Sequence, residues 1–151
     1  MTERLFDKDS YIKKFSARVL ECIKCDDFYK TVLDRTAFFA EGGGQKSDTG
    51  FLNGIPVFDV QEDRGIIYHY TRLPIKKDTV TGVIQWDKRF NKMQNHSAEH
   101  IISGLIHTLY GYENTGFHLG DDVVTMDYNG TLEQDDIDKI EFSANNAVWE
   151  N

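Results

Sequence analysis

Positions 16–87 of the chain consist of short apolar segments separated by turn-forming residues. These segments are rich in β-branched and aromatic residues, which is typical of strands. Asp26-Asp27 separates the first two segments, and Asn53-Gly54, a strong hairpin signal, separates the third and fourth. About six short strands with turns between them predict a small barrel or sandwich. The predicted strands are 17–24, 28–33, 51–52, 55–60, 66–71 and 80–86.

The apolar period changes after residue 87 and becomes helical. Asp87 is the expected N-cap of a helix over 88–110, and Gly111 is its expected C-terminal stop. Steps of three and four positions place the apolar residues on one face of this helix. These residues are Phe90, Met93, Ile101, Ile102, Leu105 and Leu109.

A strand over 123–128 and a second amphipathic helix complete the pattern. Thr131 with Gln134 predicts a capping box at the start of that helix. The helix reaches the end of the sequence without a stop signal, so we expect either a frayed end or a polypeptide that has been cut short. The sequence therefore predicts an α+β protein, with a barrel-like domain over 1–87 and the first part of a second domain over 88–151.

Composition is that of a globular protein and favours the cytoplasm. The 151 residues are 40% hydrophobic and 28% charged, and no apolar run approaches the roughly 20 residues of a membrane helix. Cys22 and Cys25 are the only cysteines, which fits a reducing compartment. Their odd spacing on a strand points the two thiols to opposite faces, so a metal or redox role for this C-x-x-C is the minor interpretation.

Charge is unevenly distributed along a chain whose net charge is −8. Residues 121–151 hold nine acids and one base, whereas 64–92 holds seven bases and two acids. A local basic stretch can bind phosphate even in an acidic protein, and a solvated lysine-rich surface is the alternative. The candidate phosphate-binding residues are Arg72, Lys76, Lys77 and Lys92.

His96 and His100 are the sharpest chemical feature, because a four-residue spacing places both imidazoles on one helix face. Zinc suits such a pair, although the pair supplies only two of the three or four ligands that zinc usually takes. His107 lies about 10 Å further along the axis and is too far away to share the ion. Two polar residues on a solvated face are the alternative. The segment also matches the H-x-x-E-H signature of zinc peptidases, with Glu99 as general base.

A glycine run, Gly42-Gly43-Gly44, precedes Gln45. Glycines permit positive φ and let backbone N–H groups approach a ligand closely, and the Gln45 amide adds two donors and an acceptor. The run lacks the Gly-Lys-Ser/Thr ending of a nucleotide-phosphate loop. It predicts a loop in close contact with a ligand, and a plain flexible turn is the alternative.

The glycine run and the histidine pair, in this order, resemble the editing domain of alanyl-tRNA synthetase and the freestanding alanyl-tRNA editing proteins. The resemblance covers most of residues 10–151. It rests on the motifs 35–45, Asp48-Thr49-Gly50, Arg89 through Ile102, Ile140-Glu141, and Asn145 with Asn146.

The resemblance implies a small N-terminal β-barrel followed by an α/β editing domain of the kind shared with threonyl-tRNA synthetase. It implies hydrolysis of the ester bond in tRNA(Ala) mischarged with serine or glycine, by a freestanding protein or by part of a larger chain. A cut helix would expose apolar surface through which the chain could form a homo-oligomer. His96 and His100 would be zinc ligands and, with Gln45, would be the catalytic residues. Gly43, Gly44 and Gln45 would line the aminoacyl pocket, which we expect between the glycine loop and the histidine face.

Two departures from the family pattern qualify these expectations. The family completes its zinc site with a downstream Cys-x-x-x-His pair, and this chain has no cysteine after Cys25. We therefore expect an incomplete zinc site that binds the metal weakly or not at all. Position 99, often Gln or Thr in the family, is Glu here, so Glu99 either takes part in proton chemistry or faces solvent. A non-catalytic tRNA-binding module and a zinc peptidase are the alternative functions.

Overall fold

The computed structural model describes residues 1–120 and 123–150. Strands occupy most of the first half of the chain, and the two helices lie in the second half. The strands are β1 Glu3–Arg4, β2 Lys14–Lys24, β3 Tyr29–Leu33, β4 Arg35–Thr36, β5 Gly50–Leu52, β6 Ile55–Asp63, β7 Ile66–Thr71, β8 Thr79–Ile84, β9 Asn114–Leu119 and β10 Val124–Tyr128. The helices are α1 Trp86–Tyr110 and α2 Gln134–Trp149.

Six strands close into a barrel in the order β2-β3-β7-β6-β5-β8, so the predicted barrel is confirmed and the sandwich alternative is wrong. Every neighbouring pair is antiparallel. The long strand β2 closes the ring, because its first half pairs with β8 and its second half pairs with β3. A register shift between Val19 and Glu21 separates the two halves. Such a bulge bends a strand and allows closure without an open edge.

The barrel interior is filled by the inward-facing residues of alternating strand positions. Leu33, Leu52, Val60 and Ile67 have no exposed surface. On β8, a Cβ at Gly82 would lie 2.3 Å from the Phe15 ring. Glycine at this position therefore leaves the space that the aromatic ring fills.

Both predicted hairpins form. Asn53 and Gly54 have φ of 49° and 82° between β5 and β6, as a two-residue turn with positive φ at both centres requires. At the other hairpin, between β2 and β3, the Cys25 amide donates to the Phe28 carbonyl at 2.9 Å.

The helix boundaries differ from the prediction at both N-termini. α1 begins at Trp86, which the sequence assigned to a strand, and Asp87 lies in the first turn instead of capping it. The N-cap of α2 is Glu133, whose capping box closes with Asp136, so the box predicted from Thr131 is wrong. A carboxylate at the N-cap accepts the same backbone amide as a hydroxyl.

The C-terminal stop of α1 and the strand that follows complete this region. Gly111 ends α1 with φ 70°, as predicted. The sequence pattern missed β9, which pairs with β10 in a separate two-stranded sheet. The predicted strand over 123–128 is β10.

A buried ion pair organises the start of α1. The Arg89 guanidinium donates to both oxygens of Asp48 and to the carbonyls of Ala37 and Ser10, at 2.6 and 2.9 Å. Arg89 is 3% exposed and Asp48 1%. The Phe39 amide also donates to Asp48 at 2.8 Å, so the aspartate joins the segment before the glycine run to the helix.

The chain divides into two compact units, Met1–Gly42 with Lys46–Phe90, and Gly43–Gln45 with the chain from Asn91 onward. Three residues of the glycine loop therefore group with the helical unit. The predicted domain boundary between residues 87 and 88 stays a prediction. Within the described residues, no helix combines the length and apolarity that a membrane crossing requires.

Candidate functional site

His96 and His100 lie side by side on α1, as their spacing predicted. Their rings stack with centroids 5.0 Å apart. His96 is half-buried beside the Phe117 ring, at a centroid distance of 5.4 Å, whereas the His100 side chain is 73% exposed. One imidazole is thus fixed by packing and the other reaches the surface.

The glycine loop brings Gln45 to His96. The Gln45 amide oxygen lies 3.0 Å from His96 Nδ1, and Gln45 is only 5% exposed. The loop is held against β9, because the Leu119 amide donates to the Gly44 carbonyl at 3.0 Å. These contacts lie within one compact unit, so the two motifs that the sequence singled out separately meet at a hydrogen bond.

Positive φ at Gly43 and Gly44, 60° and 77°, is the conformation that the glycine run predicted. At Gly44 the requirement is also steric, because a Cβ there would lie 2.5 Å from the Phe117 carbonyl oxygen. Gly43 has open space around it. The close approach to β9 therefore depends on Gly44.

Glu99 is buried, so the expectation that it faces solvent is wrong. It is 6% exposed, and its Oε1 accepts from Ser103 Oγ at 2.6 Å and from Asn114 Nδ2 at 2.9 Å. Its Oε2 lies 3.2 Å from His100 Nδ1. Neither Ser103 nor Asn114 was predicted from the sequence; a serine four residues after Glu99, on the same helix face, was the available signal.

The donor set around α1 fits a zinc ion. Ligand atoms of His96, Glu99 and His100 all lie within 4.8 Å of one another, and imidazole and carboxylate are both zinc ligands. Because each Nδ1 faces an oxygen of Gln45 or Glu99, the Nε2 atoms of the two histidines are the nitrogens available to an ion.

Other sequence candidates lie outside this cluster. His107 Nδ1 lies 3.0 Å from Glu113 Oε1, and its exclusion from the metal stays a prediction. Cys22 and Cys25 are half-buried free thiols, and Thr31 Oγ1 donates to Cys22 Sγ at 3.6 Å.

Fewer side chains of the basic stretch 64–92 are available to bind phosphate than its sequence suggests. Arg89 is buried in its ion pair with Asp48. Arg72 donates to the Asp27 carbonyl at 3.2 Å and lies 4.9 Å from the centre of the Phe58 ring. Lys76 and Lys77 are exposed, and Lys92 is half-buried on α1.

An apolar cavity of about 490 Å³ lies among α1, β10 and α2. Glu141 and Asn145, which carry part of the resemblance, line it, and its most buried wall residues are Ile106 and Ile140, at 2% and 4% exposure. Its described lining does not include His96, His100 or Gln45. The expected aminoacyl pocket beside the histidines therefore stays a prediction.

Comparison with known proteins places these features in a family. The profile of the family described as tRNA synthetases class II (A) matches residues 9–88, just over half of the chain. The alanyl-tRNA editing protein AlaX-L of Pyrococcus horikoshii is 34% identical across 98% of this chain and 39% of its own length. AlaX-M of Methanosarcina acetivorans, also an alanyl-tRNA editing protein, is 39% identical across 100% of this chain and 66% of its own length.

Longer synthetases match as well. The alanine–tRNA ligase of Methanococcus maripaludis is 37% identical across 97% of this chain, which spans only 17% of the ligase. Both the barrel and the histidine helix lie inside these alignments, because they cover nearly the whole chain. The chain therefore belongs to the class II (A) tRNA synthetase family, alongside proteins named alanyl-tRNA editing proteins and alanine–tRNA ligases.

Proposed function

We propose that this chain carries the aminoacyl-ester hydrolysis site of an alanyl-tRNA editing protein, acting on tRNA(Ala) mischarged with serine or glycine. The observation that carries the proposal is the 3.0 Å contact between Gln45 and His96. It joins the glycine loop to the histidine pair, and the relatives named as editing proteins align across both. In this proposal the segment from α1 onward is the first part of an α/β editing domain.

His96 and His100 would hold a zinc ion through Nε2. Such an ion polarises an ester carbonyl or lowers the pKa of a bound water to near 7. Two imidazoles make an incomplete set, so we keep the prediction that this chain binds zinc weakly.

The loop residues would bind the aminoacyl group. Backbone N–H groups at Gly43 and Gly44 would donate to the ester oxygen as negative charge develops on it. The Gln45 amide oxygen faces His96, so Gln45 would position that imidazole while its NH₂ group donates to the substrate.

Discrimination against the correct product has a physical basis. A site that hydrogen-bonds the serine hydroxyl rejects alanine, because a bound alanine leaves the polar group unpaired. The pocket in which a synthetase activates alanine cannot exclude serine as strongly, because an apolar pocket rejects an added hydroxyl group only weakly.

The two alternatives predict different chemistry. A peptidase needs Glu99 to face its substrate as general base, but Ser103 and Asn114 hold this buried carboxylate. A non-catalytic tRNA-binding module needs no metal and no ester hydrolysis. The partner, tRNA(Ala), and a cytoplasmic location also belong to the proposal, and oligomerisation stays a prediction.

The test is release of labelled serine from seryl-tRNA(Ala), with alanyl-tRNA(Ala) as the control substrate. We expect the double variant His96→Ala/His100→Ala, made in a polypeptide that deacylates, to lose activity. Gln45→Ala should lose roughly ten- to hundredfold, as one hydrogen bond of about 1–3 kcal/mol implies. His107→Ala is the matched control on the same helix. Wild-type rates from a folded double variant would remove the metal from the mechanism and favour the binding module.

A further inference from the structure

The burial of Glu99 beside an exposed histidine calls for a physical explanation. Glu99 is 6% exposed, although an ionised carboxylate is costly to remove from water unless donors replace the lost hydration. The neighbouring His100 side chain is 73% exposed, so packing alone does not fix its ring. The two residues therefore have opposite environments and a direct contact.

The Glu99 carboxylate accepts hydrogen bonds from two elements of one compact unit. Ser103 on α1 and Asn114 at the start of β9 both donate to Oε1. Ser103 Oγ is in turn in hydrogen-bond contact with the Tyr128 hydroxyl on β10, at 2.8 Å. Asn114 is fixed in turn, because its Oδ1 accepts the Gly116 amide at 2.9 Å. This network leaves the carboxylate little freedom to rotate.

The second oxygen of Glu99 determines the state of His100. Oε2 lies 3.2 Å from His100 Nδ1, and a carboxylate oxygen only accepts, so this contact favours a neutral imidazole with its proton on Nδ1 and its lone pair on Nε2. The Gln45 amide oxygen lies 3.0 Å from Nδ1 of His96 and favours the same tautomer there. Two different residues thus face the Nδ1 atoms of the paired imidazoles.

We propose that Glu99 is a positioning residue that orients His100 and keeps its Nε2 ready to bind a metal ion, as Gln45 does for His96. The inference rests on the proposed function for its metal, but it assigns to Glu99 a role that the spacing of the two histidines does not predict. In this role Glu99 acts on the ion through His100, although its carboxylate lies in the same group of candidate ligand atoms.

The conservative variant Glu99→Gln gives a sharp test, because an amide has only one oxygen. Ser103 and Asn114 both donate toward Oε1, so they should retain that oxygen and turn the NH₂ group toward His100 Nδ1. Nδ1 then becomes an acceptor and the proton moves to Nε2. We expect nitrogen-15 NMR of the metal-free chain, at a pH where histidine is neutral, to show His100 protonated on Nδ1 in the wild type and on Nε2 in the variant.

Metal affinity provides the second readout, with zinc alone as the probe and a chromophoric chelator as competitor. Glu99→Gln should weaken zinc binding by roughly 10- to 100-fold, the usual effect of losing an outer partner of a metal ligand. Glu113→Gln is the matched control, because it alters a second His–carboxylate contact on the same helix, at His107, and should leave zinc affinity unchanged.

Ser103→Ala keeps the carboxylate and removes one of its donors. It should weaken zinc binding several-fold without exchanging the His100 tautomer, and it provides a second variant if Glu99→Gln does not fold.

Two results would overturn the assignment. One is a wild-type His100 protonated on Nε2, and the other is a folded Glu99→Gln variant that binds zinc as tightly as the wild type. Neither depends on deacylation. A chain that passes both tests but releases no serine from tRNA would contradict the proposed function and leave the role of Glu99 intact.

Discussion

His69 is a histidine enclosed by the barrel, with no exposed surface. Its Nδ1–H donates to the Thr31 carbonyl at 3.0 Å, and Thr36 Oγ1 lies 2.8 Å from Nε2. The Phe38 ring packs edge-on against the imidazole. Burial lowers the pKa of His69 to about 4, although the Thr31 carbonyl opposes the shift. The folded protein therefore holds this imidazole neutral.

Acid should destabilise the fold through this residue. Because the pKa of His69 is lower in the folded chain than in the unfolded chain, the unfolded chain binds more protons as the pH falls from about 6.5 to 4. The free energy of unfolding should fall by about 2 kcal/mol between pH 7.5 and 5 from this group. Urea unfolding at both pH values measures it. His69→Gln should lose this dependence and His107→Gln should keep it; equal slopes in all three proteins would contradict the assignment.

Gly44 and Gly43 allow a test of the loop at single-residue resolution. Gly44→Ala places a Cβ 2.5 Å from the Phe117 carbonyl, whereas Gly43→Ala meets nothing within 4 Å. In both variants an alanine adopts positive φ, which costs about 1 kcal/mol of backbone strain. Only Gly44→Ala must also push the loop away from β9. We expect Gly44→Ala to cost at least about 1 kcal/mol more in thermal unfolding and to shift the His96 ring signals. Equal costs would show that the loop yields without strain.

At the scale of elements, the N-terminal turn of α1 depends on the Asp48–Arg89 pair. Asp48→Asn leaves a buried guanidinium without its counter-charge, so we expect a loss of about 3–5 kcal/mol in the free energy of unfolding. Lys8→Ala is the matched control, because it breaks the exposed pair with Glu3 and should cost at most about 1 kcal/mol. Chemical denaturation compares the two. A cost for Asp48→Asn no larger than that of the control would mean that the pair is not a structural anchor.

Some elements could be predicted because their signal is local. The Asn53-Gly54 turn and the Gly111 stop depend on φ values that few residues other than glycine and asparagine adopt, and both form as predicted. The strand β9 was missed because Asn114–Leu119 begins with polar residues and contains Gly116, so it shows no strand-like alternation. It forms a strand by pairing with β10. A strand that is specified by its tertiary pairing need not show an alternating pattern of apolar and polar residues in its sequence.

Some contacts of the candidate site could also be predicted from the sequence, and others could not. Helical spacing was enough to place His96 beside His100. The contact of Gln45 with His96 spans 51 positions, and the buried Glu99 carboxylate accepts a hydrogen bond from Asn114 on β9. Neither follows from spacing, because each arises where separate elements pack.

At the scale of the whole molecule, RNA binding should depend on the exposed lysines between β7 and β8. Lys76→Glu/Lys77→Glu should weaken tRNA binding at low salt and make the salt dependence shallower by about one unit of slope per lost phosphate contact. A fluorescence titration of tRNA across salt concentrations measures both. Lys8→Glu/Lys24→Glu makes the same change in charge outside the basic stretch. Equal losses in the two variants would point to a general effect of net charge, not to a site at Lys76 and Lys77.

The same titration tests the remaining candidates, Arg72 and Lys92. Arg72→Glu would also break the contacts with Asp27 and Phe58, so its effect has to be read against a measurement of stability. Lys92→Glu changes a half-buried position on α1. A loss of tRNA binding by this variant supports a phosphate contact at Lys92 only if its circular dichroism shows that the helix is preserved.

The grouping of Gly43–Gln45 with the chain from Asn91 onward has a consequence for recombination. A gene crossover near residue 90 would inherit the two imidazoles from one parent and Gln45 from the other. The resulting chimaera would combine a histidine pair with a glycine loop that had not evolved beside it. If Gln45 and the two histidines act together as proposed, an exchange between relatives has to carry residues 43–45 together with the downstream segment, and the smallest heritable block for the proposed site is then discontinuous in the gene.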